Sequence, residues 1–204
     1  MAQRVLVAMS GGVDSSVAAA LLLEAGYRVV VVTMRLFSLP DEEVPARFRG
    51  CCSVEAVDEA RRVCQILGIP HYFLNFEREF GRRVVDYTLA EYARGRTPNP
   101  CLTCNQHIKF DFLLRQALAL GFDYIATGHY GRIEEQSGRY HLLKGVDAAK
   151  DQSYFLYTLG QAELEHLLLP IGPYHKQRVR QKARELGLPV AQRPDSQELC
   201  FIPD

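Results

Sequence analysis

Short apolar runs alternate along the chain with longer amphipathic or alanine-rich segments. The first run covers residues 4–9, and a glycine-containing turn and an Ala/Leu-rich segment that ends at Gly26 follow it. Residues 27–34 are mostly β-branched, which is typical of a parallel strand buried on both faces. This alternation predicts a doubly wound parallel α/β sheet with right-handed crossovers. Further strands are predicted at 71–75 and 124–127, and helices at 53–67, 76–94 and 105–120.

The pattern changes beyond residue 127. Two short segments at 132–135 and 139–143 lie on either side of a Gln-Ser-Gly turn, which predicts a hairpin. Short helices are predicted at 161–168 and 176–186. We therefore divide the chain into a main α/β domain over residues 1–160 and a small C-terminal helical extension over residues 161–204.

The composition is that of an ordinary globular protein, with 48% hydrophobic and 24% charged residues among 204. Basic and acidic residues number 24 each, and this neutrality argues against a uniformly basic, nucleic-acid-binding surface.

The N-terminus lacks a secretory signal pattern, and no run approaches the ~20 apolar residues of a membrane span. We therefore expect a cytoplasmic protein with no membrane partner, whose six cysteines are thiols. Cys51, Cys52 and Cys64 lie in no recognisable motif and are interpreted as structural.

The turn after the first strand, Ser10 to Ser16, has the features of an anion-binding loop. Its two glycines let successive backbone N–H groups point into one concavity, and the following helix adds its positive N-terminal end. The loop has neither the lysine of the nucleoside-triphosphate P-loop nor the spaced glycines of the dinucleotide fingerprint. Asp14 is unusual here, because a carboxylate repels bound phosphates unless a divalent cation or the reaction requires it. A glycine turn that binds nothing is the simpler alternative.

A second candidate site contains Cys104, which follows two closely spaced prolines and precedes the predicted helix at 105–120. A thiol at a helix N-terminus ionises more readily and is therefore more nucleophilic. Together with the distant Cys200 and an anion-binding loop, it suggests sulfur transfer, in which one thiol carries a persulfide and another attacks or resolves it. A metal or iron–sulfur site formed by Cys101, Cys104 and Cys200 is a competing interpretation, and a structural role is a third.

Five segments, taken in order, resemble one enzyme family. The loop at 10–16 resembles the pyrophosphate-binding loop of the PP-loop ATP pyrophosphatase superfamily. Four further segments follow it, namely 95–105 with 108–110, 126–130, 150–156 and 195–202. With all five segments, the chain resembles the tRNA-specific 2-thiouridylase family over nearly its whole length. The resemblance implies an adenine nucleotide alpha hydrolase-like fold. It also implies ATP-dependent 2-thiolation of the wobble uridine of tRNA, by adenylation of the 2-oxygen and sulfur transfer from a cysteine persulfide.

The resemblance further implies roles for individual residues. Cys104 would be the nucleophile, Cys200 would carry the persulfide, and the two would form a disulfide if the persulfide is split reductively. ATP would be bound by the first loop and by residues near it, namely Ala8, Met9, Ser10, Gly11, Gly12, Val13, Asp14, Ser15, Met34 and Gly128. The target base or other parts of tRNA would contact Asn99, Pro100, Cys101, His129, Lys150, Asp151 and Gln152.

Cofactors and partners follow from the same resemblance. ATP and Mg²⁺ would be required, and the partners would be tRNA and a persulfide-donating sulfur carrier or cysteine desulfurase. Residues 1–160 would form the ATP-binding catalytic domain, and residues 161–204 would begin the tRNA-binding region that carries Cys200. Family members have Asp or Cys at position 101, and Cys101 keeps an iron–sulfur cluster open as a further cofactor. Family members are also longer, so we expect a fragment or a split protein; a non-catalytic nucleotide- or iron–sulfur-binding remnant and another PP-loop adenylating ligase are the alternatives.

Basic residues are concentrated near the C-terminus in spite of the zero net charge. Lys176, Arg180 and Arg184 share one face of the helix predicted at 176–186. A solvated helix surface is the ordinary interpretation of such a pattern. Beside the resemblance to tRNA-modifying enzymes, we favour contact between this face and the RNA backbone.

Overall fold

The computed structural model describes residues 2–37, 54–195 and 200–201. Its main sheet has five parallel strands in the order β3-β2-β1-β4-β7. These strands are β1 (Arg4–Ala8), β2 (Arg28–Arg35), β3 (His71–Asn75), β4 (Tyr124–Ala126) and β7 (Leu167–Leu168). An antiparallel hairpin consists of β5 (Gly131–Gln136) and β6 (Arg139–Lys144). The parallel α/β sheet that the sequence predicts is confirmed.

The helices of the described ranges cover the sheet and its rim. They are α1 (Val13–Glu24), α2 (Val54–Leu67), α3 (residues 77–93), α4 (residues 100–119), α5 (Gln161–Leu164) and α6 (Lys176–Glu185). α3 and α4 each contain a π-helical segment, at Gly81–Val85 and Asn105–Leu113 respectively. None of these helices combines the length and the apolar character that crossing a bilayer would need.

The sheet separates two apolar cores, because alternate side chains of a strand point to opposite faces. On one face, Val5 and Val7 of β1 pack with α1, α2 and α6. On the other face, Leu6 packs with α3 and α4, whose largest buried side chains there include Phe80 and Ile108. The carboxyl ends of β1, β2 and β4 lie at one rim, which is where ligands bind in doubly wound sheets.

Residues beyond 160 belong to this same structure. β7 pairs with β4 as the fifth strand of the sheet, whereas the sequence predicted helix throughout 161–168. α5 ends at Leu164, and the two residues of β7 are too few to show the alternation of a strand. α6 packs against α1 in the first core through Val179 and Ala183. The small C-terminal helical extension is therefore not confirmed as a separate unit.

Candidate active site

The loop between β1 and α1 is held together by its own serines. Gly12 immediately precedes the first turn of α1, and its carbonyl accepts hydrogen bonds from Ser15 Oγ at 3.3 Å and Ser16 Oγ at 2.8 Å. Ser15 Oγ in turn accepts a hydrogen bond from the Ser10 N–H at 3.4 Å. These contacts fix the loop at the N-terminus of α1, where the helix dipole favours a bound anion.

Two glycines are required by close approaches of the backbone. Gly11 has a φ of +72°, and a Cβ there would collide with the carbonyl group of Ala56 in α2. Gly128 follows β4, and its backbone lies directly against that of Asp14 and Ser15. The loops after β1 and β4 are thereby brought together at the rim of the sheet.

A cavity of about 400 Å³ opens at this rim, a size typical of small-molecule sites. Gly11 does not line it, because this residue makes the turn against α2 instead. The other residues that the resemblance assigns to ATP do line it, namely Ala8, Met9, Ser10, Gly12, Val13, Asp14, Ser15, Met34 and Gly128. The structure therefore gathers the expected nucleotide residues around a single cavity.

Charged side chains of both signs line the cavity, namely Lys109, Lys150, Lys176, Arg193, Asp14 and Asp195. Lys176 is only 8% exposed, and its ammonium lies 2.7 Å from Asp14 Oδ2 and 2.7 Å from Asp195 Oδ1. Asp14 Oδ1 also accepts a hydrogen bond from Tyr130 Oη at 2.8 Å. The carboxylate that looked unusual in an anion-binding loop is thus neutralised by a lysine of α6.

Asp195 lies among three cations. Lys150 Nζ is 2.7 Å and an Arg180 guanidinium nitrogen 2.9 Å from its carboxylate, and Lys176 is the third cation. Burial disfavours the charged carboxylate, but the hydrogen bonds from Lys150 and Lys176 outweigh burial and lower the pKa of Asp195 to about 2. Nearby, Arg193 pairs with Glu59 and donates a hydrogen bond to the Gly11 carbonyl at 3.0 Å. Residues 193–195 are therefore fixed against the nucleotide loop.

The basic face of α6 is directed largely inward. Besides its ion pair with Asp195, Arg180 donates hydrogen bonds to the carbonyls of Ala191 at 2.9 Å and Arg193 at 2.8 Å. Lys176 is buried beside the cavity, and only Arg184 of the three predicted residues is exposed. In the structure, Lys176 and Arg180 therefore bind carboxylates and carbonyls of the chain itself, and their contact with an RNA backbone stays a prediction.

His129 lines the cavity on the side of β4. Its Nδ1 is 2.7 Å from Thr127 Oγ1. Burial, and secondly the nearby Lys109 ammonium, lower the pKa of His129 to about 3. The imidazole is therefore neutral near neutral pH, and it can exchange hydrogen bonds with a ligand without adding charge.

Two of the three residues Lys150, Asp151 and Gln152 lie at the cavity. Lys150 and Gln152 line the cavity, whereas Asp151 does not. Asp151 accepts a hydrogen bond from Ser153 Oγ at 2.8 Å, and Gln152 Oε1 accepts one from the Tyr130 N–H at 3.1 Å. The side chains of Asp151 and Gln152 thus hold the backbone beside the cavity.

Cys104 lies at the end of the first turn of α4. The helix begins at Pro100, and the side chain of Asn99 caps it by accepting a hydrogen bond from the Cys101 N–H at 3.0 Å. The prediction that the helix begins at Asn105 is therefore wrong, because an Asn cap followed by proline is a favourable helix start. Cys101 occupies the exposed N-terminal turn, whereas Cys104 is buried. The candidate nucleophile is therefore a buried thiol.

α4 connects Cys104 to the cavity. The buried side chain of Asn105 donates a hydrogen bond to the Phe155 carbonyl at 3.3 Å and accepts one from Lys109 Nζ at 2.8 Å. Lys109 lines the cavity. The same helix therefore carries both the Cys104 thiol and Lys109, which lines the cavity. Asn105 lies between these two residues in the sequence.

Cys200 packs against the same apolar core that contains Cys104. The ring of the adjacent Phe201 packs edge-on against Phe80, with 5.6 Å between centroids. Within the described ranges, no group of three His, Cys, Asp or Glu side chains is arranged to hold a metal ion. The structure thus places Cys104 and Cys200 in one core but does not assemble a cluster site from them and Cys101.

The remaining cysteines have no assigned chemistry. Cys64 is buried in the first core, and burial raises its pKa to about 11. This environment keeps the thiol protonated and agrees with the structural role predicted for it. Cys51 and Cys52 lie outside the described residues.

Sequence reasoning gave no nucleotide role to several residues that line the cavity, namely Lys109, Tyr130, Lys176, Arg193 and Asp195. One signal was present, because Asp14 in an anion-binding loop demands a nearby cation. Lys176 and Asp14 are 162 positions apart, however, and no local pattern connects them.

Residues 3–204 match the model of the tRNA methyl transferase HUP domain family. The chain belongs to this family. A relative from Carboxydothermus hydrogenoformans is 57% identical to this chain over 204 residues, which are 99% of this chain and 56% of the relative. One from Chloroflexus aurantiacus is 57% identical over 201 residues, which are 98% of this chain and 55% of the relative. Both carry the name tRNA-specific 2-thiouridylase MnmA, so the resemblance noted in the sequence is confirmed, and the chain spans about half the length of these relatives.

Solved structures share the fold of this HUP domain at low sequence identity. A 4-thiouridine synthetase–RNA complex with bound ATP matches with a TM-score of 0.60 and 18% identity, over 94% of this chain and 43% of that one. An NMN synthetase from Francisella tularensis matches with a TM-score of 0.54 and 16% identity, over 95% of this chain and 66% of that one. These likenesses support the α/β architecture alone.

Proposed function

We propose that this chain is the ATP-binding and sulfur-transferring part of a tRNA-specific 2-thiouridylase. The observation that carries the proposal is that α4 contributes Lys109 to the cavity and Cys104 to the core against which Cys200 packs. One helix therefore links the nucleotide cavity to the core that contains Cys104 and contacts Cys200, which supports an adenylation followed by sulfur transfer. The names of the relatives support tRNA as the substrate.

The cavity suits a nucleoside triphosphate. The phosphates would lie in the concavity of the 10–16 loop, against its backbone N–H groups and the N-terminus of α1. Asp14 and Asp195 both line the cavity beside the loop, and carboxylates that act together with substrate phosphates are usual ligands of Mg²⁺. Bound there, Mg²⁺ would offset the phosphate charge during adenylation.

The proposed reaction consists of two transfers. The uridine 2-oxygen attacks the α-phosphorus of ATP and pyrophosphate leaves. The terminal sulfur of a persulfide on Cys200 then attacks C2 of the base and displaces AMP. Cys104 finally attacks the Cys200 sulfur as a thiolate, which releases 2-thiouridine and leaves a Cys104–Cys200 disulfide. A reductant restores both thiols, and a sulfur carrier or cysteine desulfurase supplies the next persulfide.

Contacts with tRNA are proposed around the start of α4. Asn99 and Cys101 are exposed there, one turn from Cys104, so a base inserted at this point would reach the thiol. His129 and Lys150 line the cavity and would approach the nucleotide bearing that base. Residues 161–204 would lead into the further tRNA-binding region.

The test is an assay with Mg-ATP, unmodified tRNA and a cysteine desulfurase with cysteine as the persulfide donor, in which 2-thiouridine and AMP are quantified by mass spectrometry. We expect both products in equal amounts from the wild-type chain and no 2-thiouridine from Cys104→Ala. Cys64→Ala is the matched control, because Cys64 is a buried cysteine outside the site. AMP without 2-thiouridine in the wild type would indicate another adenylating ligase. Bound ATP without either product would indicate a non-catalytic module.

A further inference from the structure

Lys176 is a buried lysine at the wall of the cavity. Its ammonium contacts both Asp14 and Asp195 and lies 5.7 Å from the centroid of the Tyr130 ring. Its backbone N–H donates a hydrogen bond to Asp147 Oδ2 at 2.9 Å, which fixes the first residue of α6. Buried ion pairs contribute little net stability compared with apolar groups of the same size. Stability alone therefore does not account for a lysine at this position.

The anion-binding loop needs a cation of this kind. In a P-loop, a lysine within the loop reaches the terminal phosphates of the nucleotide. The 10–16 loop has no lysine and carries Asp14 instead, whose charge would oppose the entry of phosphates. Lys176 touches this carboxylate and faces the same cavity, so it lies where a phosphate-binding lysine is required.

The other cations of the cavity have different partners from the acidic side chain of the loop. Lys109 is bonded to Asn105, and Lys150 is paired with Asp195. Arg193 donates a hydrogen bond to the carbonyl of Gly11, and Gly11 does not line the cavity. Lys176 is thus distinguished by its direct contact with an acidic side chain of the loop.

We propose that Lys176 is a phosphate-binding residue that contacts the pyrophosphate portion of ATP and makes the site prefer ATP to AMP. An ammonium has three N–H donors, so it can donate one to a phosphate oxygen while it keeps hydrogen bonds to Asp14 and Asp195. The two carboxylates orient the lysine before the nucleotide arrives. This inference rests on the ATP site of the proposed function, but it requires neither tRNA nor a sulfur donor.

The test is equilibrium binding of ATP, AMP and inorganic pyrophosphate by titration calorimetry, with Mg²⁺ present. Loss of one charged hydrogen bond weakens binding about 10- to 100-fold, and we expect Lys176→Met to weaken ATP and pyrophosphate binding by that factor. AMP lacks the group that Lys176 would contact, so its dissociation constant should change less than about 3-fold. Lys182→Met is the matched control, because Lys182 belongs to the same helix and pairs with Glu24 away from the cavity.

A second variant guards against unfolding. Lys176→Met removes the ion-pair partner of the Asp14 carboxylate. Asp14→Asn and Asp14→Asn/Lys176→Met are therefore measured as a pair. The double variant should bind ATP and pyrophosphate at least about 10-fold more weakly than Asp14→Asn alone. Equal losses for ATP, AMP and pyrophosphate, or the same losses in Lys182→Met, would overturn the inference. Wild-type protein that binds no ATP overturns both proposals, whereas the expected binding pattern without 2-thiouridine formation overturns the proposed function alone.

Discussion

A Cβ atom at Gly128 would lie 2.5 Å from the backbone nitrogen of Ser15. It would also lie 2.7 Å from the carbonyl carbon of Asp14. Both distances are shorter than any ordinary contact, and both neighbours are backbone atoms at the start of a helix. Only a glycine at position 128 therefore lets these two loops, which both line the cavity, lie against each other.

We expect Gly128→Ala to force these loops apart and to weaken ATP binding at least about 10-fold, with a loss of about 1–3 kcal/mol in stability. Calorimetric titration and urea denaturation measure the two effects. Gly81→Ala is the control, because Gly81 has a helical φ of −52° and no atom within 4 Å of an added Cβ. ATP binding by Gly128→Ala that matches the control would contradict the account.

The neutral imidazole of His129 should make the free energy of unfolding decrease at acidic pH. Burial first, and then Lys109, lower its pKa from 6.5 to about 3. Between these pH values the unfolded chain binds a proton that the native state does not, so this contribution to stability is complete above pH 6.5 and declines as the pH falls toward 3. When the unfolded and native states differ by one bound proton, the free energy of unfolding changes by about 1.4 kcal/mol per pH unit.

His129→Gln tests this dependence, since glutamine keeps a polar side chain but cannot titrate. We expect the free energy of unfolding, measured by urea denaturation from pH 7 to pH 4, to fall less steeply in the variant than in the wild type. Parallel slopes in the two proteins would show that His129 is not the group responsible.

Asn105 should stabilise the helix that carries the thiol. Replacing it with alanine removes the acceptor of Lys109 and the donor to the Phe155 carbonyl, and we expect a loss of about 1–3 kcal/mol for the buried polar groups left without partners. Gln106→Ala, at the exposed neighbouring position, should stay within about 0.5 kcal/mol of the wild type. Chemical denaturation distinguishes the two variants, and a Gln106→Ala loss as large as that of Asn105→Ala would point to helix propensity instead.

The role of Cys101 can be separated from those of the other two thiols. Because Cys101 is exposed and Cys104 and Cys200 share a core, we expect Cys101→Ser to retain 2-thiolation and Cys104→Ala and Cys200→Ala to lose it. Iron and sulfide analysis of anaerobically purified protein should find no stoichiometric cluster. Stoichiometric iron that disappears in Cys101→Ser would restore the iron–sulfur interpretation.

The part of the site that the sequence predicted is contiguous in the chain. Residues 8–15 form a strand end, a turn and a helix start, and each of these has a local signature in glycine, serine and β-branched positions. The predicted start of α4 at Asn105 is several residues late, because the helix begins at Pro100 and two closely spaced prolines are unusual inside a helix. An asparagine cap and a proline in the first turn are equally compatible with a helix, and only packing decides between them.

The part that the sequence missed depends on tertiary contacts. The basic stripe of α6 has the spacing of a solvent-exposed or RNA-binding face, and nothing in the spacing shows that Asp14 and Asp195 lie opposite it. Likewise, Leu167 and Leu168 become a strand because β4 offers an unpaired edge, not because two leucines prefer strand geometry. Pairings between distant segments therefore decided both the charge of the cavity and the extent of the sheet.

The position of β7 has a consequence for dividing the protein. A fragment that ends at residue 160 would lack this strand and leave the N–H and C=O groups of β4 on an open edge, which invites intermolecular pairing and aggregation. It would also lack Lys176 and so leave the Asp14 carboxylate uncompensated beside the loop. A piece that keeps β4 paired and the loop charge compensated must therefore reach at least the end of α6 at Glu185, and two-fragment complementation should succeed only when the second fragment supplies both β7 and α6.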